Sequence, residues 1–294
     1  MRGAVRVMER GEADIGDARA AHQHRRRGAG GVERDDETEQ RVGRADDERV
    51  QAAAAGAQCV CLPENFTCLE ERDALYLERG YAEDGHPALQ VFPELARELG
   101  VVLALGSLTI RLPHGRVHNR SYVLDADGKV LGTYNKIHLF DVQLRQGEMY
   151  RESATVEPGA SRTLVQLPWG LLGLSVCYDV RFPHLYRALA QDGADFLAVP
   201  AAFTATTGEA HWHVLLRARA IETGCYVFAA GQCGQRRWGR RTYGHSLIVD
   251  PWGSVLADAG GEPGFVIAEI DPAKVSEARA MIPSLRHDRP LPPL

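Results

Sequence analysis

Lysine is nearly absent from this sequence: of 34 basic residues only those at 129, 136 and 274 are lysine, and the rest are arginine. A lysine next to buried or reactive neighbours therefore stands out, because an ammonium and a guanidinium do different work. Long apolar runs are missing too, and none approaches the roughly 20 residues that a membrane-spanning helix requires. A strong charge of either sign is also missing. The formal net charge of -5 gives no footprint for nucleic acid or an anionic membrane, so neither is expected as a partner. The six cysteines, at 59, 61, 68, 177, 225 and 233, include no CxxC pair and no dense spacing. That excludes a disulfide framework and favours a reduced, cytoplasmic setting. His211-Trp212-His213 puts two histidines on different faces of a helix with no cysteine pair nearby, so no metal is expected, and nothing in the sequence asks for a cofactor.

The first fifty residues lack more. Met1 to Val50 holds 11 arginines and 12 acidic residues but no lysine, leucine or aromatic residue. It offers almost nothing to bury and reads as an atypical polar segment, disordered or misread from its gene, that forms no core element. A secretory signal is excluded by the missing apolar stretch, and Arg25-Arg26-Arg27 lies among balancing acids, without the aromatic residues of a nucleic-acid arm.

From Gln51 the character changes. Gln51 to Ala55 reads as the last turn of a helix stopped by Gly56, and Gln58 to Leu62 as a strand ended by Pro63. Pro87 to Leu99 has the spacing of an amphipathic helix closed by Gly100, followed by a core strand over Val101 to Ile110. Ser121–Leu124 and Lys129–Tyr134 form a hairpin around Asp127-Gly128. Thr163–Leu167 and the apolar run up to Cys177 form another around Pro168-Trp169-Gly170. Further strands are expected at Phe196–Pro200, Tyr226–Ala230, Ser246–Val249, Ser254–Leu256 and Phe265–Ile270. A helix over His211–Thr223 should turn Val214, Leu215, Ala218 and Ile221 inward. Strands interleaved with helices indicate an α/β protein, with one domain over residues 51–281. Ile282–Leu294, with four prolines, should be an extended arm of the kind that packs on a partner subunit.

Three reactive residues fall at predicted strand ends. Cys177 closes Leu171–Val176 where Asp179, Arg181 and Pro183 break the apolar pattern and a helix begins, a place that favours a thiolate. A cysteine that only closes a buried strand fits the same stretch. Glu64 follows the strand ended by Pro63, and Lys136 follows the hairpin, where a solvated lysine is the plain alternative. A free thiol with a pKa of about 8.5 needs a base, which an acid supplies, and a fixed ammonium suits a developing oxyanion. Spacing alone does not show that the three meet.

Leu62-Pro63-Glu64-Asn65-Phe66, Tyr134-Asn135-Lys136-Ile137-His138-Leu139-Phe140-Asp141 and Val176-Cys177-Tyr178-Asp179-Val180-Arg181-Phe182-Pro183 resemble, in order, the three signature segments of the nitrilase superfamily of carbon-nitrogen hydrolases. The resemblance covers roughly Ala52 to Leu294. It implies a four-layer αββα sandwich that assembles as a homodimer or higher homo-oligomer. It also implies Glu64 as general base, Lys136 as electrophilic stabiliser, Cys177 as nucleophile and Glu152 as the acid that orients Lys136. The backbone N–H of Tyr178 would join Lys136 at the oxyanion. Arg181 would pair with a substrate carboxylate, or serve as a structural arginine, and Phe203 and Thr204 would line the pocket. Ala210–Glu222 is similar to the branch of deaminated glutathione amidases and ω-amidases. Gln232-Cys233-Gly234, Tyr243-Gly244-His245-Ser246 and Val249–Gly253 look more like the former. The implied activity is hydrolysis of a small carboxylate-bearing amide through a thioester. Rival readings are an ω-amidase acting on 2-oxoglutaramate or 2-oxosuccinamate, a nitrilase or acyltransferase, and a silent binding protein without a complete core at its N-terminus.

Overall fold

The computed structural model describes residues 3–9, 55–67, 69, 73–144, 148–236 and 239–290. Seven strands form the first sheet in the order β17-β1-β2-β3-β5-β4, with β6 on the free side of β5. These are β1 (Gly3–Glu9), β2 (Cys59–Cys61), β3 (Val102–Ala104), β4 (Leu108–Arg111), β5 (Val117–Leu124), β6 (Val130–Asn135) and β17 (Gly264–Ile270). Six form the second, in the order β16-β15-β12-β11-β10-β9: β9 (Leu164–Leu167), β10 (Gly170–Leu174), β11 (Phe196–Ala198), β12 (Tyr226–Ala229), β15 (Leu247–Val249) and β16 (Val255–Asp258). Each sheet has three parallel strands at its centre, β1-β2-β3 and β10-β11-β12, flanked by antiparallel ones. Two small hairpins, β7 (Asp141–Gln143) with β8 (Met149–Arg151) and β13 (Cys233–Gln235) with β14 (Arg241–Tyr243), stand apart.

Alternation along the strands makes the layers. Cys59 and Cys61 of β2 share one buried cluster with Val102 and Ala104 of β3 and with Leu172, Leu174, Phe196 and Phe228 of the second sheet. Val60, between them, belongs to another cluster with Leu103, Tyr122, Leu124 and the buried face of α2 (Pro87–Leu99), namely Ala88, Phe92, Leu95 and Ala96. A period of two thus sends alternate residues of one strand to the other sheet or to the helix. On the far side of the second sheet lie α3 (Pro183–Gln191) and α4 (Ala205–Thr223); Gly173 leaves room there for Leu189, 3.2 Å from where its Cβ would be. The order helix, sheet, sheet, helix is the αββα sandwich. The helices are completed by α1 (Asp73–Arg79) and α5 (Ala273–Met281), and no helix of the described residues is long and apolar enough to cross a membrane.

Several expectations change. Met1–Val50 does supply a core-sheet element: β1 pairs antiparallel with β17 from Gly3↔Ile270 to Glu9↔Gly264 and parallel with β2, so the central strand is present. Averaging composition over fifty residues hides a seven-residue stretch in which Val5 and Val7 alternate with Arg6 and Met8. Residues 10–54, including most of the helix turn read at Gln51–Ala55, lie outside the described residues. The single strand expected over Val101–Ile110 is two, because the chain crosses β2's end at Gly106, where φ is +27°. α4 starts earlier than His211, at a cap in which the Thr204 hydroxyl accepts from Thr207 N. Its buried stripe is Trp212, Leu216, Arg219, Ala220 and Thr223, whereas Val214 and Ile221 face solvent at 68% and 53% exposure and Leu215 and Ala218 are half-buried. Apolar residues occur on both sides of this helix, so apolarity alone chooses the wrong face. The described part of the C-terminal arm is not extended throughout: a 3₁₀ turn spans Ser284–Arg286, Arg187 of α3 donates to Ser284 O at 2.9 Å and pairs with Asp288, and Leu285 packs on the core.

Gly106 ties this frame to the chain segment after β2. A Cβ there would lie 1.9 Å from Pro63 O and 2.4 Å from Leu62 O, at a φ that side chains avoid. Gly106→Ala is expected to destabilise the protein by at least the roughly 1–3 kcal/mol of a strained backbone, read from urea unfolding. An unchanged midpoint would contradict the close approach.

Candidate active site

The residues after the parallel strands meet at one end of the sandwich, the carboxyl ends where α/β sheets leave room for ligands. Glu64 follows β2, and its turn is held by Asn65 at φ +50°, by Asn65 N donating to Ser107 Oγ at 3.0 Å and by Gln232 Nε2 donating to the carbonyls of Glu64 and Asn65. Lys136 follows β6, fixed by its N–H to Asn119 O at 2.9 Å. Its Nζ reaches Glu64 Oε1 at 2.8 Å and Glu152 Oε2 at 2.9 Å. Glu152, on the turn after β8, accepts from Phe140 N at 2.7 Å. Asn119 of β5 donates to both acids, to Glu64 at 2.9 Å and Glu152 at 3.2 Å. The second oxygen of Glu64 accepts from Ala202 N at 2.9 Å, just beyond β11.

Cys177 enters from the second sheet. Its N–H donates to Pro200 O at 2.8 Å and its φ is +50°, a left-handed conformation that aims the side chain at the same cavity. An α-helix does not begin directly at Cys177: a 3₁₀ turn spans Cys177–Arg181 and α3 starts at Pro183. Asp179 in this turn is fully buried. Its oxygens accept from Val176 N at 2.8 Å, Tyr134 OH at 2.8 Å, His138 N at 2.9 Å and His138 Nδ1 at 2.7 Å. One carboxylate thus binds the turn that carries Cys177 to the segment on either side of Lys136.

Burial and charge set the protonation. Burial raises the Glu64 carboxyl, but the Lys136 ammonium and the hydrogen bonds from Lys136, Cys177 and Asn119 outweigh it and hold it below the ordinary carboxylate value. Burial lowers the Lys136 ammonium, and Glu152 and Glu64 overcome that and hold it well above the usual range. Burial and the charge of Glu64 push the Cys177 thiol well up, against the weaker pull of Lys136. With two carboxylates already on one ammonium, a third negative charge has no counter-ion. The resting pair is a thiol beside an ionised carboxylate, rather than the thiolate that a helix N-terminus would favour.

Glu64, Lys136, Cys177, Glu152, Tyr178, Phe203 and Thr204 all line one cavity of about 880 Å³, counting the solvent at its mouth. Arg181 does not line it. The Arg181 guanidinium stands 5.3 Å from the Phe203 ring centroid and 5.8 Å from that of Tyr178, and donates to His211 Nδ1 at 3.3 Å. Arg240 lines the cavity instead, donating to Ala202 O at 2.8 Å with its guanidinium 5.2 Å from the Tyr150 ring centroid. Asn119, Ala202 and Arg240 went unnoticed in the sequence. Ala202, next to Phe203 and Thr204, and Arg240, near the Tyr243-Gly244-His245-Ser246 stretch, lay beside a signal that could have found them, and Asn119 did not.

The family model for carbon-nitrogen hydrolases matches residues 21–280 of the chain. The chain is 45% identical over 241 residues, 80% of its length and 88% of the relative's, to a deaminated glutathione amidase of Synechocystis. It is 42% identical over 247 residues to one of Homo sapiens, covering 82% of this chain and 75% of the other. The crystal structure of the C. elegans NitFhit protein superposes with a TM-score of 0.83 at 34% identity, over 98% of this chain and 65% of that one.

The depressed carboxyl of Glu64 has a signature in acid. Its contribution to stability is complete above the unfolded pKa of about 4.3 and is lost as pH falls through the lower native value. The melting temperature of the wild type should therefore fall more steeply below about pH 4.3 than that of Glu64→Gln, whose amide does not titrate. Parallel curves would show that the carboxyl is not depressed.

Proposed function

The chain belongs to the carbon-nitrogen hydrolase family and is an amidase, and we propose that it opens a small carboxylate-bearing amide of the deaminated glutathione kind through a thioester on Cys177. The observation that carries this reading is the ammonium of Lys136, 2.8 Å from Glu64 and 2.9 Å from Glu152, in the cavity that Cys177 also lines.

Glu64 takes the proton of Cys177 as sulfur bonds to the amide carbon, and the oxygen becomes an oxyanion. Lys136 and the backbone N–H of Tyr178, in the first turn after the nucleophile, hold that oxyanion. Glu64 then gives its proton to the nitrogen, the C–N bond breaks and the amine leaves. In the second half Glu64 takes a proton from water, the hydroxyl adds to the thioester, and the acid departs as the proton returns to sulfur. One amide and one water become one acid and one amine. Glu152 and Asn119 act as positioning residues, since they fix Lys136 and Glu64 to one another. A carboxylate on the substrate suits Arg240, which lines the cavity and has no carboxylate partner among the described residues.

The working form in this reading is a homodimer in a reduced, cytoplasmic setting. Val214 and Ile221, seven residues apart on α4, and Trp252, beside the Gly253 that Ile221 contacts, make an exposed apolar face that a second copy would cover. Cys59, Cys61, Cys177, Cys225 and Cys233 are free thiols.

Two measurements follow. Amine or ammonia release from deaminated glutathione, 2-oxoglutaramate and simple nitriles should be greatest with the first, and Cys177→Ala should lower it by at least about 10³-fold. Activity surviving in Cys177→Ala removes the thioester, and a preference for 2-oxoglutaramate or nitriles moves the substrate assignment to that class. In light scattering, Val214→Glu with Ile221→Glu should halve the mass of the wild-type particle, and a wild type that runs as a monomer ends the dimer reading.

A further inference from the structure

Away from the cavity, three side chains that take no part in this chemistry converge. His213 comes from the middle of α4, His245 from the turn before β15 and Asp258 from the end of β16. His213 Nε2 lies 3.0 Å from Asp258 Oδ2, and His245 Nδ1 lies 2.9 Å from Oδ1 and 3.2 Å from Oδ2. The donor atoms of all three fall within 4.8 Å of one another. On a tetrahedron with bonds of about 2.0–2.1 Å, neighbouring ligand atoms are about 3.3–3.4 Å apart. The imidazole-to-carboxylate spacings are within a few tenths of an ångström of that.

We propose that His213, His245 and Asp258 bind one divalent transition-metal ion, zinc best, with water completing the tetrahedron. Two imidazoles and a carboxylate are a ligand set that zinc takes in proteins. The ligands are held from behind. His245 has φ +54°, stacks on Tyr243 with centroids 4.4 Å apart, and accepts at its carbonyl from Trp212 Nε1 at 2.8 Å. Asp258 Oδ1 also accepts from Gly260 N at 2.9 Å. Such supporting contacts orient a ligand set before the ion arrives. The three side chains are 33%, 28% and 34% exposed, so an ion reaches them from solvent without unfolding. His211 has no place in the site: His213 finds its partners in the turn before β15 and at the end of β16, not two residues away on its own helix. A bound ion would clamp α4, whose first turn brings Thr204 and Thr207 to the cavity, onto the β15–β16 hairpin. The competing arrangement is a hydrogen-bonded clasp, in which each imidazole donates one proton to Asp258.

The test is calorimetric titration with zinc chloride, and cobalt(II) absorption in parallel, on the full chain carrying Cys177→Ala so that the cavity thiol does not compete. One ion per chain should bind, raise the melting temperature and give the strong visible bands of tetrahedral cobalt. Asp258→Asn and His213→Gln, each added to that background, should weaken zinc by more than the roughly 10–100-fold that losing an outer-shell partner costs. His213→Gln replaces a partly exposed helix residue and keeps the test decisive if Asp258→Asn misfolds. Absence of saturable zinc binding, or wild-type affinity in a folded variant, overturns the site and leaves the clasp. Neither result depends on the amide chemistry.

Discussion

The ion cluster of Lys136 with Glu64 and Glu152 is the constraint that the rest of the molecule serves. An ammonium that is 2% exposed survives only because two carboxylates meet it within hydrogen-bond distance, and removing one partner of a buried pair typically costs about 3–5 kcal/mol. The three members come from separate chain segments: the end of β2, the end of β6 and the turn after β8. Forming the cluster therefore requires the first sheet to be assembled and the β7–β8 hairpin to be docked. The contacts that satisfy the charges also fix the geometry. Asn119 touches both acids, and Ala202 N carries Glu64 across to the second sheet.

Asp179 does the same between the sheets for the thiol. It draws donors from Tyr134 and His138, which flank Lys136, and from Val176, which precedes Cys177. Sulfur and ammonium are thus positioned through a buried carboxylate that touches neither. Glu64, Lys136 and Cys177 come from different strand ends, yet each is tied to at least one of the others by side-chain bonds inside the core.

Much of this was legible in the sequence, and what was not has identifiable causes. Glu64, Lys136 and Cys177 showed as chemistry-bearing residues at the ends of strands because the breaks in apolar pattern are local. Glu152 entered only through a family likeness, because Met149-Tyr150-Arg151 carries no apolar alternation to mark a strand before it. Asn119 and Ala202 act across 55 and 138 residues of chain, a separation at which no local pattern speaks. The inward face of α4 was misread because its buried stripe includes Arg219, which donates to Val180 O at 2.9 Å and pairs with Glu222, while valine and isoleucine lie outside. A buried arginine whose hydrogen bonds are filled does not look buried in a hydropathy pattern.

Glu64 receives its neighbours as an anion: two donors converge on one oxygen and a peptide N–H on the other. In the proposed cycle it must spend part of each turnover protonated, and in that state at least one of those donors loses an acceptor lone pair. The surroundings then press the proton outward, toward the departing nitrogen in the first half and back to sulfur in the second. A pocket shaped around the ionised acid thereby makes its own intermediate restless, and gives each half-reaction a downhill exit.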